Sequence, residues 1–337
     1  MTTALTAVLV FGLIVFFHEF GHFAVAKIVG IKVHEFAIGM GPRLIKHRKG
    51  ETEYSLRILP IGGYVRMEGE DETSDDIRSF NKKTIGERIA VIFAGPLMNF
   101  ILAFFLFAII FYNVSGLPIT TIEQIVQNSP ADIAGIKVND KIIGINDKDI
   151  SNWKDVVNQI DRSQGNTIKI TLMRNDEVIE KSITPELDVT NNRFMIGIIP
   201  VTEKSLTAAI KDSYNQTKMI FIEMFNFFSG LISRKPATDT EVVGPVGIIN
   251  LVGQASKEGL FNVLFLAGLI SINLGFINLL PIPALDGSRI LFLIFEFFRG
   301  KAVDPEREAI IHAVGLVLMM LLMLIITYKD ILTLFKG

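Results

Sequence analysis

Three observations predict a polytopic α-helical membrane protein of four transmembrane helices with one inserted extracytoplasmic α+β domain. Half of the 337 residues are hydrophobic and only 20% are charged, and the mean hydropathy of +0.43 lies above that of an ordinary soluble domain. The charge-free residues are gathered into segments long enough to cross a bilayer, which needs about 20 of them. Between the second and third of these segments, Thr121 to Pro200 switches to short β-rich runs bounded by turn residues.

Composition also excludes. With 33 basic against 35 acidic side chains and a net charge of −2, no basic field exists to hold nucleic acid, and no Lys/Arg run interleaved with aromatics appears. The chain has no cysteine, which removes disulfides, thiolate metal sites and thiol nucleophiles. Any metal must be held by His, Asp or Glu.

The elements follow in order. Residues 1–31 form the first span, apolar on every face but carrying His18, Glu19 and His22. No basic region precedes its apolar run and no small-x-small cleavage site closes it, so it reads as a retained helix rather than a signal peptide. The loop 32–88 holds Arg43, Lys46, Arg48, Lys49, Lys82, Lys83 and Arg88, which places it in the cytoplasm by the positive-inside rule. The second span, 89–112, leads out to the domain 113–200, and the third, 260–287, returns to a cytoplasmic loop, 288–308, bearing Arg289, Arg299, Lys301 and Arg307. The fourth span, 309–328, and the tail 329–337 place both termini outside.

In the external domain, strands are predicted over Ile142–Ile145, Thr167–Met173 and Val178–Ile183, with turns at Asn146-Asp147, Gln164-Gly165 and Asn175-Asp176 and a helix over Asn152–Ile160. Residues 201–259 follow. There the Phe-rich run Met219–Ile232, too short to span, is expected to lie in the interface as an amphipathic helix. The glycines and proline of Val242–Ile249 argue for irregular backbone.

The chemistry is carried by His18-Glu19-Phe20-Gly21-His22. Residues four apart stack on one helix face, so two imidazoles converge on one metal ion while Glu19 projects to the side where a reacting water lies. Two His and one Glu in an apolar helix cost several kcal/mol unless ligated or paired, so a functional role is the default, with a bundle-stabilising polar patch as the bland alternative. A third ligand must come from elsewhere. The run Asn278-Leu-Leu-Pro281-Ile-Pro283-Ala-Leu-Asp286-Gly287 closes the third span, and its two prolines break the helix and imply a cavity at membrane depth. Topology brings Asp286 to the same leaflet as the two histidines, near the cytoplasmic side. From its own sequence context, Asp286 is equally a helix cap.

Together HEFGH and NLLPIPALDG, with Phe93-Ala-Gly-Pro-Leu-Met-Asn99, Gly62-Gly63-Tyr64-Val65 and Gly244-Pro-Val-Gly-Ile248, resemble the site-2 protease family of intramembrane zinc metalloproteases, close to the bacterial regulator-of-sigma-E protease group. The run Ser129 to Asn146 resembles the PDZ family, whose modules bind extended peptide ends by strand addition. The resemblance implies one zinc ion held by His18, His22 and Asp286, Glu19 as catalytic base, and substrate contacts at Asn273, Asn278, Pro281 and Pro283, with a peptide groove near Ile196-Gly197-Ile198. It further implies a membrane-re-entrant β-hairpin over about Ile31–Met67, with which the alternation of Lys32–Ile38 and Glu53–Leu59 and the intervening Gly39, Gly41, Pro42 and Gly50 are compatible.

The expected partners are the lipid bilayer of a bacterial cell membrane and transmembrane substrates such as trimmed anti-sigma factors or remnant signal peptides. A different class stands against this: a zinc carrier or a non-enzymatic zinc-binding scaffold. A carrier needs ionisable residues along several spans, and the apolar runs Ile89–Tyr112, Leu260–Pro283 and Ala309–Tyr328 offer only His312.

Overall fold

The computed structural model describes residues 3–70, 74–114, 117–188, 193–233, 243–301 and 303–336. In order they form α1 (Thr3–Ile28), β1 (Val33–Lys49), β2 (Thr52–Met67), α2 (Ile85–Val114), β3 (Leu117–Ile125), α3 (Pro130–Ile133), β4 (Lys141–Ile145), β5 (Lys148–Asp149), α4 (Trp153–Arg162), β6 (Ile168–Arg174), β7 (Glu177–Ile183), β8 (Glu186–Asp188), β9 (Arg193–Met195), β10 (Ile198–Glu203), α5 (Leu206–Ile232), α6 (Pro245–Glu258), α7 (Leu260–Asn278), α8 (Asp286–Arg299) and α9 (Pro305–Lys336). Two compact units result, Met1–Ile110 with Lys211–Gly337, and Phe111–Ile210.

Among the described residues, four helices are long and apolar enough to cross a membrane: Thr3–Ile28, Ile85–Val114, Leu260–Asn278 and Glu306–Leu332. Small residues let them approach, as expected where lipid removes the hydrophobic drive between helices. Gly21 of α1 lies against the Ala94 carbonyl of α2, leaving no room for a side chain. A Cβ at Gly275 of α7 would sit 3.0 Å from the Pro96 carbonyl, and one at Gly268 would sit 2.7 Å from the Phe107 ring. Val10 and Ile14 of α1, Leu102 and Leu106 of α2 and Ala267 of α7 form one buried cluster.

The hairpin β1–β2 folds back at Gly50 and also turns at Gly39 and Gly41, both at φ +85°, and again near Gly62 at φ +73°, where glycine takes left-handed backbone without steric penalty. Residues 33–38 therefore lie between two partners, Ala37 pairing with Tyr64 on one side and Ser55 on the other, while 43–49 pairs with 52–57. At its centre Glu35, 2% exposed, accepts from Arg57 and Ser55, each at 2.8 Å, and from Arg43 at 3.1 Å. Burial opposes its ionisation, but these donors with Tyr64 outweigh it and hold the carboxyl at about 2.

Three sequence expectations need correction. The third span ends at Asn278, and the following loop, 288–308, is largely helix: α8 starts at Asp286 and runs to Arg299. Its Arg289 pairs with Glu70 and its Glu296 with Arg88, so charged residues that read as loop punctuation are one face of an amphipathic helix. The Phe-rich helix is 27 residues long because Leu206–Lys218 joins it. The Gly-Pro-Val-Gly run is not irregular: Pro245 occupies the first turn of α6, where a missing N–H is tolerated. Asp330 of α9 accepts from the N–H groups of Gly244 at 3.0 Å and Gly247 at 2.8 Å, capping that helix from a distance. Val242 lies outside the described residues.

The second unit is a sheet of order β10-β3-β4-β6-β7 with β5 on β4. All three predicted turns are present, with Asn146, Asp147, Gln164, Asn175 and Asp176 at positive φ. Asn152 and Ser129 cap α4 and α3. The core joins Ile122, Ile142, Ile145, Ile168, Ile170 and Leu172 to Val156 and Ile160 of α4.

Candidate active site

His18 and His22 lie one turn apart on α1 with ring centroids 4.8 Å apart. Their Nε2 atoms are 3.3 Å from each other. Asp286, the first residue of α8, brings Oδ2 to 3.4 Å from Nε2 of His18 and 3.6 Å from Nε2 of His22. That oxygen is buried with no hydrogen-bond partner.

A metal suits this group. Zinc bonds N and O ligands at about 2.0–2.1 Å in a tetrahedron, whose ligand-to-ligand edge is then roughly 3.3–3.4 Å, close to the separations seen. An orphaned carboxylate oxygen aimed at two imidazole nitrogens is unfavourable unless a cation lies among them. Among the described residues, these three form the one group of His, Asp and Glu whose donor atoms lie within 4.8 Å of one another.

The surroundings orient the rings. Nδ1 of His22 bonds the Val91 carbonyl at 2.9 Å, and Nδ1 of His18 meets the amide of Asn99 at 3.2 Å, the kind of outer partner that ligating histidines require. The Gly95-Pro96 step of α2 makes the space, since a Cβ at Gly95 would collide with the His22 imidazole. The side chain of Glu19 passes the hairpin, where a Cβ on Gly63 would lie 2.8 Å from Glu19 Cγ. That side chain is thus bounded by Gly63 of β2.

The loop before Asp286 is a chain of turns. Ile282 N bonds Leu280 O at 2.7 Å and Leu285 N bonds Ile282 O at 3.1 Å. Pro281 is exposed and Pro283 partly buried, and neither could donate to a continuing helix. Asn278 Nδ2 comes within 3.5 Å of His18 Nε2. Asn273 is partly buried on α7. Gly197 belongs to the other unit, at φ +79° just before β10, where Ser129 leaves no space for a side chain. Sequence reasoning does not assign Asn99 to the site: one asparagine on an apolar span carries no spacing signal until the crossing of α2 over α1 is known.

Residues 6–322 match the profile of Peptidase family M50. The chain is 33% identical to the zinc metalloprotease RasP of Bacillus licheniformis, the match covering 99% of this chain and 100% of that protein. It is 31% identical to the regulator of sigma-W protease RasP of Bacillus subtilis, covering 99% of each. Among solved structures, the PDZ domain of an SdrC-like protein from Listeria innocua is 22% identical with a TM-score of 0.23, covering 27% of this chain and 99% of that domain. The chain therefore belongs to peptidase family M50, the site-2 proteases, and is an intramembrane zinc metalloprotease.

Proposed function

We propose that the protein cuts peptide bonds within the membrane-spanning segments of single-span proteins, with trimmed anti-sigma factors and remnant signal peptides as its substrate class. In this reading His18, His22 and Asp286 hold the zinc ion and Glu19 is the general base. The observation that carries it is the buried, otherwise unpartnered Asp286 Oδ2 within 3.6 Å of both imidazole nitrogens. The name of the Bacillus subtilis relative, regulator of sigma-W protease, supports the substrate class.

Zinc bound by these residues supplies Lewis acidity towards a carbonyl and towards water. Glu19, one residue from His18, accepts the proton of the attacking water and returns it to the leaving nitrogen. A substrate helix must unwind before attack because its carbonyls are used in its own hydrogen bonds, and freed backbone groups need partners at membrane depth. Asn278 and Asn273 offer amides for them. Pro281 and Pro283 keep the facing loop out of a helix, so it stays open to an extended segment.

The reading places 32–88, with the hairpin, and 288–308 on the cytoplasmic side of a bacterial plasma membrane, and the termini and 113–200 outside. It also treats 113–200 as a PDZ module. Its groove would lie beside Gly197 and β10, which is an edge strand of its sheet and so has a free ladder for strand addition.

The test is incubation of the purified chain with a fluorescent transmembrane peptide, with and without a zinc chelator. Glu19→Gln should abolish cleavage with zinc near one ion per chain, whereas His22→Ala and Asp286→Ala should lose both. Turnover by the Gln variant would remove Glu19 from the mechanism.

A further inference from the structure

We propose that His312 of α9 is a positioning residue for this protease: it holds the backbone of Ala284 so that Asp286 faces His18 and His22. The inference rests on Asp286 as a zinc ligand.

Ala284 stands at φ +79°. Among the described residues, every other non-glycine residue at positive φ is Asn, Asp or Gln. Left-handed backbone brings the Cβ of an L-residue too close to the following carbonyl oxygen, and alanine has no side-chain group to offset the cost. Strain of this kind persists only where the surroundings enforce it. Here α9 does. The Ala284 N–H donates to His312 Nδ1 at 3.0 Å. One turn further along α9, Gly315 opens a notch for the preceding residue: a Cβ there would lie 2.6 Å from the Pro283 carbonyl oxygen. His312 and Gly315, three apart, share a helix face, so one face of α9 supplies both the acceptor and the space.

The His312 ring is itself set. It packs on Phe292 of α8 at 5.8 Å between centroids, its Nε2 lies 3.6 Å from Glu308 Oε1, and its Nδ1 accepts the Ala284 N–H. From Ala284 the chain runs through Leu285 directly into Asp286, and a Cβ at Gly287 would strike the carbonyls of Leu279 and Leu280. The loop is therefore closed on itself behind Asp286, and the strained residue ahead of it is Ala284. Relaxing Ala284 to the right-handed or extended region redirects the peptide entering Asp286 and carries Oδ2 away from the two imidazoles.

Zinc affinity, measured by chelator competition on the purified full chain, tests this alongside kcat and KM. His312→Leu is expected to weaken zinc about ten- to hundred-fold, the usual loss for an outer partner of a metal site. His312→Asn, whose Oδ1 replaces Nδ1, should restore most of it. Adding Ala284→Gly to His312→Leu should also restore most of it, because glycine needs no support at this φ. A merely structural histidine would lower thermal stability without either rescue. A folded His312→Leu chain with wild-type zinc affinity, or a loss recovered by neither His312→Asn nor the added glycine, overturns the proposal. Gly315→Ala lengthens the same bond without touching His312 and keeps the test open should the Leu variant not fold: weakened zinc supports the proposal, wild-type affinity overturns it. Asp286→Ala separates the two levels. Full zinc in that variant overturns the ligand reading and this proposal with it, whereas zinc lost there but unaffected in His312→Leu overturns this proposal alone.

Discussion

Asn99 presents its amide 3.2 Å from Nδ1 of His18 while its Oδ1 is buried without a hydrogen-bond partner. An imidazole whose Nε2 faces a metal carries its proton on Nδ1, and that proton needs an acceptor. Turning the amide by 180° exchanges its oxygen and nitrogen in the same volume and supplies one. The backbone carbonyl of Asn99 accepts from Ser271 Oγ at 2.8 Å, which fixes α2 to α7 at the height of His18.

Asn99→Ala is expected to weaken zinc binding ten- to hundred-fold or so, and Asn99→Asp, which still accepts, to preserve it. Ser271→Ala removes a buried hydrogen bond and should lower stability by about 1 kcal/mol with zinc affinity intact. Chelator competition and thermal unfolding read the two effects separately. Unchanged affinity in a folded Asn99→Ala chain would show that His18 needs no partner there.

The glycines beside the site yield a sharper steric forecast. A Cβ at Gly95 collides with the His22 ring, whereas one at Gly12 of the first span meets nothing within 4 Å. Gly95→Ala should abolish both zinc retention and cleavage, and Gly12→Ala should leave both unchanged. Activity in a folded Gly95→Ala chain would mean that His22 has an alternative placement.

Much of this is legible in the sequence because it depends on local periodicity. The i, i+4 spacing puts His18 and His22 on one face of any helix, and Asn146-Asp147 and Asn175-Asp176 take left-handed turns in any β-module. What is not legible depends on contacts between distant segments. The amphipathic face of α8 exists only against Glu70 and Arg88, and the cap on α6 comes from Asp330, 86 residues from Gly244. Gly39 and Gly41 mark a turn in the sequence and take one, at φ +85°, but only strand pairing shows that 33–38 then lies between 53–56 and 63–67. His312 lacks a motif because its partner is a backbone N–H.

The proposed orientation has a direct test in a chain without cysteine. A single cysteine at Ser74 should react with an impermeant thiol reagent only after the cells are opened, and one at Asn175 should react in intact cells. The reverse pattern would put 113–200 in the cytoplasm and invert the positive-inside reading of 32–88.

The last prediction concerns acid stability of the module containing Trp153, the chain's one tryptophan, which packs against the module's core and reports on it within the whole protein. Asp140 is fully buried and accepts from Arg174 Nε and Nη2, both at 2.7 Å, and from Lys137 N at 2.8 Å. Burial alone would raise its carboxyl pKa, but Arg174 and the Lys137 N–H outweigh burial and hold it below the ordinary value. A carboxyl depressed on folding adds stability that is fully present above its unfolded pKa of about 3.9. That stability is lost as pH falls through the folded value. Unfolding followed by Trp153 fluorescence should therefore show a plateau above about pH 4 and a decline below it. Asp140→Asn should lower the plateau by roughly 2 kcal/mol, the worth of a hydrogen bond to a charged group, and flatten the acid decline. An unaltered decline in the Asn variant would assign the acid sensitivity to other carboxylates.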